Sequence, residues 1–200
     1  MVIASDPQKA RAYFTNVLTS RRSEDEKMMA TYGLAILQAK ELDFAKGLEN
    51  MAKVKKYFPG HSILDVDAGV MYLDSGEIRR AAELFESAYK ADPDDMYAAF
   101  YLAQANVKKG NIEGAERLYR KIMQAMPEYP QVYFELARIK TDQGQKGMGN
   151  FYLAKYYLFS GKVDFAREYF TMVKRDTTLS DSIRKEADQM LERLDKLEKL

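Results

Sequence analysis

The chain has 200 residues, of which 46% are hydrophobic, so it can bury a folded core. Its 31 Lys and Arg residues against 30 Asp and Glu residues leave a formal net charge of +1, which provides no excess positive field to hold nucleic acid or an acidic membrane surface. The lack of cysteine and the single histidine, His61, exclude thiolate chemistry and any zinc motif with two histidines. We therefore expect no catalytic residue, no metal site and no cofactor in this chain, and no nucleic acid among its partners.

The first predicted element is a helix that begins at Asp6 and Pro7 and continues to about Thr19. Aspartate is a favoured N-cap residue and proline is favoured in the first helical turn. Three apolar residues recur on one side of this helix: Ala10, Phe14 and Val17. Because no apolar run reaches about 18 residues, we expect no membrane span. The helix would be either half of a hairpin or an N-terminal cap, within a first segment at 1–27.

A period of 34 residues organises the chain after this helix. The residues that recur in phase are the prolines Pro59, Pro93 and Pro127, the small residues Ala35, Gly69 and Ala103, the turn glycines Gly76 and Gly110, the alanines Ala81 and Ala115, and the large residues Met51, Phe85 and Tyr119. Each period predicts two amphipathic helices that are joined by a glycine turn and ended by a proline.

The recurring small residues indicate where the two helices of a hairpin cross closely. The predicted contacts are Gly69 with Ala81 and Ala103 with Ala115. The large residues Phe85 and Tyr119 would then fill the space toward the next hairpin, so that the hairpins are stabilised by stacking on one another.

The period, the small-residue pair, the aromatic column and the terminal proline resemble the tetratricopeptide repeat (TPR) family, most closely over residues 62–128. The departures are Gln38 and Asn106, where the family usually has tyrosine, and Leu42, where the turn glycine is expected. The resemblance implies an all-α fold, a TPR-type α-solenoid in which antiparallel helix hairpins form a right-handed superhelix.

Beyond Pro127 the pattern restarts half a period early, at KGMGNFYLAKYYLFSGKVDFAREYF. We interpret the helix at 146–159 as shared by the elements before and after it. The array then extends over residues 28–180 with about four and a half repeats. Residues 181–200 combine apolar residues at helical spacing with many charges, which predicts a terminal capping helix; a coiled coil is the alternative.

TPR proteins commonly bind peptides in a concave groove that their first helices line, and the repeat phase transfers those groove positions to this sequence. The predicted groove residues are Met29, Tyr32, Ile36, Ile63, Val66, Val70, Tyr97, Phe100, Gln104, Phe134, Arg138, Phe151 and Lys155. Most of them are apolar or aromatic, which favours an apolar peptide or a docked protein partner over recognition of a C-terminal carboxylate. The alternative is that some of these side chains only pack between repeats.

The segments YGLAILQAKELDFAKGLENM (32–51) and FYLAKYYLFSGKVDFAREYF (151–170), with the closing LERLDKLEKL, resemble the C-terminal TPR region of bacterial M48-family zinc metalloproteases. This resemblance implies an upstream protease domain that carries the zinc, a TPR region that docks it and recruits envelope proteins, and a periplasmic location. The alternative is a stand-alone cytoplasmic adaptor for assembly of a secretion, pilus or lipopolysaccharide complex.

Overall fold

A computed structural model of the chain describes residues 6–197, except for the side chain of Leu197. All the regular elements in that range are α-helices, eleven in number, which confirms the all-α prediction for the described residues. The helices pack as two compact units, residues 1–111 and residues 112–200.

We call these units unit 1 and unit 2. Among the described residues, unit 1 contains α1 (Pro7–Thr19), α2 (Glu24–Lys40), α3 (Phe44–Tyr57), α4 (Ser62–Asp74), α5 (Ile78–Ala91) and α6 (Met96–Lys108). Unit 2 contains α7 (Ile112–Ala125), α8 (Pro130–Asp142), α9 (Lys146–Phe159), α10 (Val163–Arg175) and α11 (Asp181–Leu197). The predicted division into segments 1–27, 28–180 and 181–200 stays a prediction, and the outermost residues of its two end segments lie outside the described range.

The first and last described helices, α1 and α11, are amphipathic. In α1, the Asp6 side chain accepts a hydrogen bond from the Lys9 amide at 3.0 Å, and Ala10 and Val17 are buried, as predicted. Helix α11 packs on α10 and buries Ala187 and Leu194.

Three ion pairs also hold α11 in unit 2. Lys155 of α9 lies 2.7 Å from Glu186, Lys174 of α10 lies 2.5 Å from Asp188, and Arg167 of α10 contacts Asp195. Five of these six side chains are between a quarter and just over half exposed, so each pair contributes little energy by itself. Together they define which face of α11 is turned toward α9 and α10.

Helix α9 packs against both α8 and α10, as expected for a helix that is shared by two neighbours. Its glycines allow a close approach, because a Cβ at Gly149 would lie 2.4 Å from the Thr141 hydroxyl of α8. A Cβ at Gly147 would likewise collide with the Asp176 carboxylate and lie 3.0 Å from Leu179, both in the segment between α10 and α11. The glycines of KGMGN therefore let α9 approach α8 and the segment that follows α10.

Five helices end in the same left-handed turn. Its positive-φ residues are Leu42, Gly76, Gly110, Gly144 and Gly161. After each one, the next amide donates to the carbonyl five residues earlier, at 2.8 Å both from Asp43 to Gln38 and from Glu77 to Tyr72. This is the Schellman pattern, which satisfies the last carbonyls of a helix. Leu42 adopts φ 64° with its side chain 74% exposed, so the turn forms even without the expected glycine.

The predicted columns of large and small residues lie in the core. Met51, Phe85 and Tyr119 are each at most 1% exposed. In unit 1 the Phe85 ring stacks on Tyr101 of α6 at a centroid distance of 5.6 Å, which places it toward the next helix as predicted. Ala35, Ala81, Ala103 and Ala115 are all fully buried. The predicted contact of Ala103 with Ala115 involves both units and stays a prediction.

The closest neighbour of Gly69 is Phe85. A Cβ built on Gly69 would lie 2.4 Å from Cε1 of the Phe85 ring, well inside van der Waals contact, and no atom of Ala81 is among its three nearest neighbours. The glycine therefore makes room for an aromatic ring of α5, whereas the sequence had suggested a crossing of two small residues.

Replacement of Leu42 by glycine should stabilise the protein, because a non-glycine residue in the left-handed region carries a conformational cost that glycine lacks. We expect Leu42→Gly to raise the free energy of unfolding by about 0.5–1 kcal/mol in urea titrations. Gly76→Ala at the matching turn is the control and should lower it by about 1 kcal/mol. A loss of stability in Leu42→Gly would contradict the assigned turn.

Gly69→Ala should destabilise unit 1, since the new methyl group collides with a fully buried ring. We expect the free energy of unfolding to fall by about 1–2 kcal/mol. The cycle with Phe85→Leu tests the cause: the double variant should lose about 1 kcal/mol less than the sum of the single losses. Strict additivity would show that Phe85 is not what Gly69 accommodates.

Candidate functional site

A cavity of about 900 Å³ lies in unit 1, between α1, α2, α4 and the start of α6. We call it the unit 1 cavity. Most of its wall is apolar or aromatic: Tyr13, Phe14, Val17, Met29, Ala30, Tyr32, Gly33, Ile36, Ala39, Val70, Met71 and Tyr97. Six charged residues also line it: Arg22, Asp25, Glu26, Lys40, Asp67 and Asp74. Its size lies at the upper end of the roughly 300–1,000 Å³ range of ligand pockets.

Asp67 of α4 links three helices of unit 1: α2, α4 and α6. The Tyr32 hydroxyl of α2 donates to its Oδ2 at 2.5 Å, and the Tyr97 hydroxyl of α6 donates to its Oδ1 at 3.0 Å. Asp67 is only 7% exposed, so its carboxylate depends on these donors in place of water. The three residues therefore form a polar bridge, which we call the Asp67 bridge, in a mostly apolar wall.

Both tyrosines of the Asp67 bridge stay protonated. Burial raises the pKa of the Tyr32 hydroxyl above its usual range, and the hydrogen bond to Asp67 adds to this effect. Burial also raises the pKa of Tyr97, followed by repulsion from the Asp67 charge. Since a protonated hydroxyl is needed to donate, the bridge persists throughout the physiological pH range.

The other charged residues of the cavity have different partners. Arg22 pairs with Glu26 at 3.1 Å, and Asp25 accepts a hydrogen bond from the Tyr57 hydroxyl at 2.7 Å. Asp74 lies two turns beyond Asp67 on α4 and is exposed as a residue. Its carboxyl group is nevertheless partly shielded from water, which raises its pKa. Four carboxylates against Arg22 and Lys40 leave the cavity with a surplus of negative charge.

The apolar wall has one part that is packed and one that is accessible. The Phe14 ring of α1 lies directly against Gly33 of α2, where a Cβ would be 2.4 Å from Cζ. By contrast, Tyr13 is 61% exposed and Met29 is 56% exposed. The accessible residues offer apolar surface to a partner without holding the core together.

A second, smaller cavity of about 280 Å³ continues the apolar surface. It shares Met29 and Tyr32 with the unit 1 cavity and extends along Phe58, His61 and Ile63. His61 is exposed at the N-cap position of α4 and its ring is 6.3 Å from that of Phe58. The histidine thus has a surface position at a helix start.

Nine of the thirteen predicted groove residues belong to unit 1, and the structure separates them into four groups. Met29, Tyr32, Ile36, Val70 and Tyr97 line the unit 1 cavity, while Ile63 lines the smaller one. Val66 and Phe100 are buried, so their side chains belong to the core, and the half-buried Gln104 lines neither cavity. The predicted binding role of these residues stays a prediction.

The four predicted groove residues of unit 2 lie on α8 and α9. Phe134 is 44% exposed with its ring 5.3 Å from Tyr156, and the exposed Arg138 lies 3.0 Å from Glu135. Phe151 is buried, and the Lys155 ammonium group sits 4.7 Å from its ring while also pairing with α11. Phe151 and Lys155 are therefore engaged in packing within unit 2.

Sequence reasoning missed Asp67, Asp74 and Tyr13, and it identified Phe14 only as part of the apolar face of α1. Asp67 belongs to the acidic run DVD at 65–67, which lacks the glycine and the terminal glutamate of a calcium loop and by itself indicates only a structural role. One signal was present: subtracting one 34-residue period from Tyr97 gives position 63, four residues before Asp67 and on the same face of α4. This offset places Asp67 near groove positions that carry tyrosine in the neighbouring repeats, so an acid that contacts tyrosines could have been proposed from the sequence.

No cluster of three or more His, Cys, Asp or Glu residues in the described range could hold a metal ion. None of the helices over residues 6–197 has both the length and the apolar content to cross a bilayer.

Residues 66–139 match the tetratricopeptide repeat family, which confirms the TPR prediction for that stretch. The sequence matches none of the curated proteins.

Several solved structures have a similar fold. The crystal structure of PilW, described as a widely conserved type IV pilus biogenesis factor, superposes with a TM-score of 0.69 over 92% of this chain and 92% of that chain, at 19% identity. MamA (41-end) from Desulfovibrio magneticus RS-1 has a TM-score of 0.64 over 82% of this chain and 90% of that chain, at 18% identity. These likenesses show a TPR-like α-solenoid fold.

Loss of one donor from the Asp67 bridge should destabilise unit 1, because a buried carboxylate would keep only one partner. We expect Tyr32→Phe to lower the free energy of unfolding by roughly 1.5–3 kcal/mol in urea titrations, and Tyr97→Phe to lower it less because Tyr97 is 39% exposed. Tyr13→Phe is the matched control, since Tyr13 lines the same cavity in an exposed position. Equal stability of Tyr32→Phe and Tyr13→Phe would show that the bridge contributes nothing.

Proposed function

We propose that this chain is a non-catalytic scaffold that binds a peptide or a segment of a protein partner in the unit 1 cavity. The observation that carries the proposal is the cavity itself, which joins accessible apolar side chains, Tyr13 and Met29, to a polar floor at Asp67. Apolar surface provides binding energy, and a few fixed polar groups orient the bound segment. The TPR match from residue 66 onward supports this class of function.

The described lining of the cavity has the composition of a binding surface and contains no nucleophile that is paired with a base. Asp67 has two neutral tyrosine hydroxyls as partners, and among the described residues no histidine or lysine hydrogen-bonds to it. A nucleophile paired with a base is the usual sign of covalent or acid-base catalysis. The tyrosines instead fix the carboxylate in one position, which suits recognition.

Two candidate settings for the scaffold remain proposals. In the first, the chain is the TPR region of an envelope M48-type metalloprotease, with zinc held by an upstream protease domain and a role in proteolysis or protein quality control in the periplasm of a bacterium. The support is the resemblance of residues 32–51 and 151–170 to such regions. The scaffold would then recruit proteins for a catalytic domain that it does not itself contain.

In the second setting, the chain is an adaptor in the assembly of a multiprotein complex such as a secretion, pilus or lipopolysaccharide machine. The support is the similarity in fold to PilW, which covers 92% of both chains. The reading frame upstream of this chain in the source genome separates the two settings. A His-Glu-x-x-His helix there favours the protease, whereas a start codon at Met1 favours the adaptor and a cytoplasmic location.

Truncation of the accessible wall should remove partner binding without unfolding the protein. We expect Tyr13→Ala combined with Met29→Ala to reduce capture of partners from extracts of the source organism at least tenfold, because truncation of an interface anchor costs about 2 kcal/mol or more and about 1.4 kcal/mol corresponds to tenfold. Capture is measured with immobilised full chain and quantitative mass spectrometry, and helical content by circular dichroism.

The matched control removes two exposed apolar side chains of unit 2, as Phe165→Ala with Met172→Ala. This control should capture the same partners as the unmodified chain. If the Tyr13 and Met29 variant retains its partners while the unit 2 variant loses them, the binding site does not lie in the unit 1 cavity.

A further inference from the structure

We propose that the segment bound in the unit 1 cavity carries a lysine or arginine between apolar residues, with its cationic group placed against Asp67. This inference rests on the proposed function and adds to it the chemistry of the partner. Three properties of the cavity support it: an acid in its floor without a cationic partner, a surplus of negative charge, and an apolar wall that suits the stem of a basic side chain.

The first property concerns Asp67. Its two oxygens each accept one hydrogen bond from a neutral hydroxyl, Tyr32 to Oδ2 and Tyr97 to Oδ1. A carboxylate has about four acceptor positions, so each oxygen can accept a further donor. None of the described lysines and arginines forms an ion pair with Asp67. A buried carboxylate in that state gains more from a cation than an exposed one, because little water remains to compete.

The second property is the distribution of charge around Asp67. Asp74 lies two helical turns farther along α4, about 10 Å away on the same face, and also lines the cavity. Of the cations near this region, Arg22 is paired with Glu26 at 3.1 Å and the charge of Lys108 on α6 acts on Asp74, which leaves Asp67 without a cationic partner among the described residues. A cationic group that enters the cavity therefore meets two carboxylates of α4, whereas an anionic group would be repelled by both.

The third property is the shape of the wall beside the acid. Ile36, Val70 and Met71 line the cavity together with Asp67. Lysine and arginine lay their methylene stems along apolar surface and present the charge at the end, so one side chain can satisfy the wall and the floor together. The Tyr97 ring, 39% exposed next to Asp67, provides an aromatic face for the same cation. Apolar neighbours in the partner would then contact Tyr13 and Met29.

A displayed library of random twelve-residue peptides, selected on the immobilised full chain, tests the inference. We expect the selected peptides to be enriched in lysine or arginine at one position with apolar residues on both sides. For a synthetic selected peptide, replacement of that basic residue by glutamine should weaken binding roughly tenfold to a hundredfold in fluorescence anisotropy titrations.

Variants of the chain locate the effect. Asp67→Asn should reduce the preference for the basic peptide over its glutamine twin to less than threefold. Asp74→Asn is a second variant at an exposed position that does not depend on the integrity of the Asp67 bridge, and it should reduce the preference severalfold. Glu83→Gln, an exposed residue of α5 outside the cavity, is the charge-matched control and should leave the preference unchanged.

The outcomes separate the two proposals. Selected peptides without a basic preference, whose binding is lost in the Tyr13→Ala and Met29→Ala variant, would overturn the inference and leave the proposed function standing. A preference that survives in Asp67→Asn and in Asp74→Asn would also overturn it. A selection that yields no peptide, or a cavity filled by a second copy of the chain in a dimer that the same double variant dissociates, would overturn both.

Discussion

Close packing of helices at small residues is the constraint on which the rest of the structure depends. Gly69 has no side chain, and the ring of Phe85 occupies the space that a methyl group would fill. Phe85 then reaches Tyr101 of α6, so the same contact that closes one hairpin also orders the next helix. The ring of Phe14 uses Gly33 in the same way to seat α1 on α2, which closes one side of the unit 1 cavity.

The cavity follows from this packing, because the helices that carry Tyr32, Asp67 and Tyr97 are held at a fixed separation by contacts on their other faces. A single buried acid with donors from two neighbouring helices is costly to break, and its geometry is correspondingly well defined. The accessible residues of the wall, Tyr13 and Met29, form no comparable buried contact. Core packing and the accessible wall of the cavity thus involve different residues of the same helices.

Much of the fold was predictable from the sequence, since a 34-residue period fixes which residues face inward and where each helix ends. Leu42 shows how strong that signal is: the turn forms in the left-handed conformation although the residue is unsuited to it. The site was less predictable, because a groove position derived from phase does not reveal whether a side chain is covered. Val66 and Phe100 occupy groove columns yet are buried, and Asp67 became visible only once two tyrosines from separate helices met at it.

The ion pairs of α11 bear on its register against α9 and α10. Its three acidic partners, Glu186, Asp188 and Asp195, each meet a cation of α9 or α10. Apolar anchors such as Ala187 and Leu194 tolerate a shift by one helical turn far better than charges do, because a shift of about 5.4 Å separates all three pairs at once. The three pairs therefore favour the observed register of α11 on its neighbours, although each contributes little free energy by itself.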